Sequence, residues 1–244
     1  MEKVTINSLE EKVIEITSLE ELNLVLLNDA KLTLKILNLG EETNGKLYAE
    51  VHSNASLNVI YADFGKGSVS IKSTVDLVEE GASCDWKLAA LSNKKDVKEF
   101  DISFNHFAGH TIAIMDNYGV ARDESTLLFK GVNHIHEHCP QSETRQNAKI
   151  IVFDPKATGK ASPALRIDEN DVKASHGAAV GKLSSDHMFY LMSRGLTKNE
   201  ARELITLGYL RPISNHFSDD KKELIKFLLE TDIPLLIIPS VTSG

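Results

Sequence analysis

The chain has 244 residues, enough to bury a core without metal or disulfide staples, and its 42% hydrophobic and 25% charged residues suit a soluble globular protein. With 27 basic against 35 acidic side chains the formal net charge is -8, which disfavours partners rich in phosphate, both nucleic acid and anionic membrane surfaces. No apolar run of about eighteen residues occurs and the opening Met1-Glu2-Lys3-Val4-Thr5 lacks the apolar stretch of a secretory signal, so a cytoplasmic location is expected, with Cys84 and Cys139 as free thiols.

From residue 11 to about 170 the apolar positions recur mainly at every second residue, the mark of strands with one face inward. Leu22-Asn23-Leu24-Val25-Leu26-Leu27 and Leu32-Thr33-Leu34-Lys35-Ile36-Leu37 read as strands, although their leucines also suit a helix. Val69, Ile71, Val75 and Leu77 alternate with Ser70, Lys72 and Asp76, and Trp86, Leu88 and Ala90 repeat the device, as do Phe100, Ile102 and Phe104. Between these runs stand turn segments such as Gly65-Lys66-Gly67, Glu79-Glu80-Gly81, Ser92-Asn93-Lys94-Lys95, Phe107-Ala108-Gly109-His110 and Asp116-Asn117-Tyr118-Gly119. An all-β body follows. Sandwich, barrel and β-solenoid all fit a turn spacing of about 12 to 16 residues, and no strict repeat decides among them.

After Ile167 the period changes. Ser184 or Ser185 can cap a helix carrying Met188, Phe189, Leu191 and Met192, with Gly195 placed to end it. Thr197-Lys198-Asn199-Glu200 is a capping box opening a second helix through Ala201, Leu204 and Ile205 to Gly208. A third begins near Ser218 and presents Leu224, Phe227 and Leu228 at helical spacing. The predicted division is a β core over residues 1–170 and a helical segment over residues 171–244.

Several residues invite a chemical reading. Placed on a strand, His134-Ile135-His136-Glu137-His138-Cys139 would project His134, His136 and His138 from one face, and imidazole suits zinc, iron or copper; an exposed polar strand edge is the plainer reading. His106 and His110 flank a turn and lack a visible carboxylate or nucleophile. Gly177-Ala178-Ala179-Val180-Gly181 lacks the Lys-Ser or Lys-Thr of a phosphate loop, and Asp168 and Asp171 read as solvated turn residues. Arg194, at the end of the first tail helix, suits the C-terminal end of the helix dipole or a partner's carboxylate. No nucleophile elbow, zinc-protease helix or dinucleotide fingerprint is present, so no conventional enzyme is expected.

The runs Asn117-Tyr118-Gly119-Val120, Asp123 to Gly131, Pro163-Ala164-Leu165-Arg166-Ile167-Asp168, Ser175 to Gly195 and Gly208-Tyr209 resemble the SufB/SufD family, the scaffold subunits of the SUF iron-sulfur cluster assembly system. The likeness covers about half of the chain strongly. It implies a right-handed parallel β-helix (a solenoid) followed by a small C-terminal α-helical domain, which selects one of the three all-β options. It also implies partners: a SufC-type ATPase docking on the C-terminal helices, and a SufB-type scaffold pairing near the C-terminal end of the β-helix. When that scaffold is absent a homodimer would take its place. Ser175-His176-Gly177-Ala178 is similar to the SufD form of the motif, whereas SufB-type members tend toward Glu-His-Glu-Ala, so the resemblance gives His176 a part in cluster assembly at that interface.

The tail residues Phe189, Met192, Arg194, Leu204, Ile205 and Tyr209 are then the expected SufC contacts. With only two cysteines, Cys139 matching no family ligand position and Cys84 lying in the weakly matching half, no cofactor is expected to stay bound to the chain alone, and an iron-sulfur cluster would be held only transiently in the complex. Family members carry an N-terminal helical region ahead of the β-helix, and 244 residues leave no room for it, so a short form is expected. A β-helix enzyme or binder acting on polysaccharide, or a metal-binding protein using the His134 cluster, are the alternatives. A polysaccharide enzyme would need clustered acids along one face, and none is concentrated in the sequence.

Overall fold

The computed structural model describes residues 2–230. Fourteen strands wind into two parallel sheets of seven. The first sheet holds the odd-numbered strands, β1 (Glu2–Ile6), β3 (Glu21–Leu26), β5 (Thr43–Val51), β7 (Ser68–Leu77), β9 (Val97–His106), β11 (Thr126–Ile135) and β13 (Thr158–Ile167). The second holds β2 (Glu11–Ile16), β4 (Lys31–Asn38), β6 (Ser56–Asp63), β8 (Ser83–Ser92), β10 (Ile112–Ala121), β12 (Glu143–Val152) and β14 (Lys173–Lys182). Each strand pairs with the one two places on, so the chain alternates between the sheets once per half coil. This is a parallel β-solenoid, and the strand pairing decides among the three architectures the alternation allowed. The segments around Leu24 and Leu34, whose leucines also suited a helix, are strands β3 and β4.

The alternation of the sequence is the alternation of the coil. Inward residues of both sheets fill one interior, with Trp86, Phe100, Phe104 and Phe129 at or near zero exposure. Equivalent positions of successive coils lie directly above one another, so large side chains stack along the axis. Phe100 meets Phe129 of the next coil edge-on at 5.9 Å between ring centres, and Tyr61 of the facing sheet meets Phe100 edge-on at 5.7 Å across the interior. Edge-to-face pairs of this kind add about 0.5–1.5 kcal/mol each beyond burial. Where the chain leaves β10, Gly119 faces this interior: a Cβ there would stand 2.4 Å from Leu127 Cδ2 and 2.9 Å from Phe129 Cζ.

Three helices follow the last strand, α1 (Ser185–Ser193), α2 (Lys198–Leu210) and α3 (Asp219–Glu230), with a 3₁₀ segment at Arg211–His216 between the last two. The caps are the expected ones. Ser184 accepts from the His187 N–H, Gly195 takes a φ of +98° after α1, and Thr197 and Glu200 form a reciprocal capping box at the start of α2. Leu210, Ile213, Phe217, Ile225 and Leu229 of the tail cover Leu37, Ile60, Ala62, Ala89, Leu91 and Val120 on the outer face of the second sheet, making a second apolar core. Arg202 donates to both carboxylate oxygens of Asp154 at 2.8 and 2.6 Å, and Arg122 and Arg202 each lie over the Phe153 ring, at 5.2 and 5.0 Å from its centre.

The change of period after Ile167 does not coincide with the end of the β body. One more strand, β14, lies beyond residue 170, and helix begins at Ser185. Small residues and two glycines hide this strand, because among the described residues it is the last of its sheet, with a neighbour on one side only and no coil above to pack against. The end of the expected helical segment, residues 231–244, lies outside the described residues.

Candidate functional site

His176 sits in the middle of β14, opposite Gln146 of β12. Gln146 in turn stacks on Met115 and Trp86, all inward and buried. Side chains in register across parallel strands share a face, so His176 continues the column of core positions. It differs from them in one respect: among the described residues no further coil covers it, and every residue of β14 is exposed. Ala174, Ala178 and Val180 share its face, and Ala161, Leu165 and Ile167 of β13 continue the columns of Phe129, Asn133 and Ile135 across the same open end. The described solenoid thus ends in an uncapped, largely apolar section with one imidazole at its centre. The outer edges of β13 and β14 lack strand partners among the described residues.

The three histidines expected to share a strand face divide. Strand β11 ends at Ile135, His134 and His136 both point outward, and His138 lies in the following turn at a φ of +63°. In its place comes Asp168, one coil further along the chain: His134 Nε2–H donates to Asp168 Oδ2 at 2.6 Å. The His134 and His136 rings are 3.7 Å apart, and Phe107 stacks on His136 at 4.5 Å. Burial lowers the His136 pKa below the ordinary histidine value, and the neighbouring His134 lowers it further. Behind them His106 is fully buried and pushed down to about 4, first by burial and then by His136 and His134, so it stands as a neutral imidazole bonded through Nδ1 to Thr111 Oγ1 at 2.7 Å. Cys139 gives its thiol to the His106 carbonyl at 3.2 Å, and burial raises its pKa, which makes it an inert thiol. Asp168 was hidden in the sequence because nothing local marks it; its place follows only once the coil length is known.

The tail residues separate by exposure. Helix α1 has no buried residue, and Phe189 is 76%, Tyr190 57% and Met192 46% exposed. Arg194 is exposed and lies 5.2 Å over the Tyr190 ring. Leu204 is exposed on α2, Ile205 is half-buried, and Tyr209 packs edge-on against Tyr118 of β10 at 5.5 Å. Tyr209 therefore holds the tail to the solenoid.

Residues 7–209 match the family described as SUF system FeS cluster assembly, SufBD core domain. The chain belongs to the SufBD family. The match takes in nearly the whole solenoid, the His176 face and helix α1. This SufBD chain is 30% identical over 164 residues to the iron-sulfur cluster assembly protein SufD of Bacillus subtilis (strain 168), covering 66% of the chain and 38% of that protein. It is 23% identical over 187 residues to an iron-sulfur cluster assembly SufBD family protein of Staphylococcus epidermidis (strain ATCC 12228), covering 75% of the chain and 40% of that protein. A SufBD family protein of Staphylococcus aureus (strain USA300) is 22% identical over the same length. The chain spans about two fifths of the length of these curated relatives. No helix among the described residues is long and apolar enough to cross a membrane.

Proposed function

We propose that this SufBD chain is a SufD-like, non-enzymatic scaffold subunit of a cytoplasmic SUF complex, pairing with a SufB-type scaffold and binding a SufC-type ATPase through its helical tail. The observation that carries the reading is the uncovered last coil, which holds His176 in a core column where the partner's last coil would continue the solenoid. Joining two such ends buries apolar columns and pairs the free strand edges of β13 and β14. An imidazole at that seam is a ligand for iron that thiolates of the partner would complete, so the cluster is cargo assembled between two chains.

Helix α1 supports the ATPase half of the reading. Its exposed Phe189 and Met192, with Arg194 beside them and Leu204 on α2, offer an apolar docking face with one cation, whereas Ile205 and Tyr209 serve mainly to seat α2. Only Leu183 and Ser184 separate β14 from α1. A pull on α1 during ATP-driven dimerisation of the ATPase would therefore reach the strand bearing His176 directly, provided that the ATPase binds the two arrangements with different affinity. The test is H176A in the reconstituted complex: the complex is expected to form and its iron-sulfur assembly to fail. Unchanged assembly would remove His176 from the mechanism.

A further inference from the structure

The outer face of the first sheet carries a side-chain group for which the scaffold reading has no use. Register places Asp76, Asn105, His134 and Arg166 in one outward row. One step past the strand ends, the His136 N–H bonds to the His106 carbonyl and the Asp168 N–H to the Ile135 carbonyl, which puts Phe107, His136 and Asp168 in the next row. Nitrogens of His134 and His136 and a carboxylate oxygen of Asp168 all lie within 4.8 Å of one another. A tetrahedral ion with bonds of about 2.0–2.2 Å spaces its ligands about 3.3 Å apart, so small rotations of these side chains close the three on one ion.

The donor set selects the ion. Two imidazole nitrogens and one carboxylate suit zinc or ferrous iron, whereas calcium and magnesium take oxygen ligands. Phe107, stacked on His136 at an interplanar angle of 16°, fixes one ring, and the short bond to Asp168 positions the other until an ion displaces it with release of a proton. The His134 side chain is 20% and that of Asp168 50% exposed, so an ion can enter from solvent and keep water on its open side. Arg166 is the cation in the His134 row, and its side chain is exposed, where solvent screens its charge.

We propose that His134, His136 and Asp168 form a site for a divalent transition-metal ion, with its remaining coordination positions open to water. The site uses neither His176 nor His138, although its Asp168 follows directly on β13 of the last coil. Its test is titration of the chelator-stripped full chain with zinc alone, read by calorimetry and by X-ray absorption. One equivalent is expected, with nitrogen and oxygen neighbours at about 2.0–2.2 Å. H134A, H136Q and D168N, each checked for an unchanged melting temperature in chelator, are expected to weaken binding about tenfold or more, and H138A and H176A to leave it unchanged. Absence of stoichiometric zinc, sulfur in the metal's shell, or wild-type affinity in the three ligand variants would overturn the assignment.

Discussion

Lys98 shows how far a two-residue period can be followed. The run Phe100, Ile102, Phe104 is inward, and its continuation backwards puts a lysine in the interior, where its side chain is fully buried. Its Nζ donates to Asp63 Oδ1 at 2.6 Å and to the carbonyls of Gly65 and Leu91 at 2.7 Å each, and Asn38 Nδ2 donates to Asp63 Oδ2 at 2.8 Å. The alternation made this position legible as interior, yet Asp63, a full coil earlier, was not legible as its partner. Lys98→Met strands the Asp63 charge and is expected to lower stability by about 3–5 kcal/mol, with much of the loss recovered in the K98M/D63N double variant. Urea midpoints measure both; a K98M protein as stable as the parent would show that the ion pair holds nothing. Gly119→Val is a steric counterpart, expected to cost about 1–3 kcal/mol in the same assay, because Leu127 and Phe129 already occupy the space.

At the scale of elements, the helices were legible because their signals are local. The capping box Thr197 to Glu200 and the terminating Gly195 lie within a few residues of the structure they set. What fastens α2 to the solenoid was not legible, since Arg202 finds Asp154 across 48 residues. The Arg202 guanidinium, followed by the Asp123 backbone N–H, outweighs burial and holds the Asp154 carboxyl at about 2. A carboxyl whose pKa falls on folding contributes stability above its unfolded value of about 3.9, and that contribution fades as pH drops through 4 towards 2. Protection of the α2 amides, measured as exchange relative to the intrinsic rate at each pH, is therefore expected to fall over this range in the parent. D154N is expected to show the lowered protection already at pH 5, with little further change attributable to this pair. Strand β14 was missed for a different reason: Ala, Gly and Ser carry no strand signal, and its hydrogen bonds to β12 are what make it a strand.

For the whole molecule, the repeat is hidden by a coil that widens as it goes. Glu2 opposes Leu22, but Leu127 opposes Gly159, so the period drifts from twenty residues to thirty-two. The corners repeat in geometry without repeating in residue type: Asp29, Asn54, Gly81, His110 and Gln141 each take a positive φ, one per coil. Asn and Asp tolerate that conformation nearly as Gly does, so the turn leaves no fixed letter in the sequence. The interior and most turns were thus readable, but Asp116-Asn117-Tyr118-Gly119, expected as a turn, lies within β10, and the stacking order and the His134–Asp168 pairing required the register. The open end is a property of this scale too, and so is the work proposed for it. Co-elution of the purified chain with its SufC-type ATPase and SufB-type scaffold tests that work most directly. One complex of all three is expected, with the ATPase lost when Phe189 and Met192 are both changed to Ser; separate elution of the parent chain from both partners under every nucleotide condition would overturn the scaffold role.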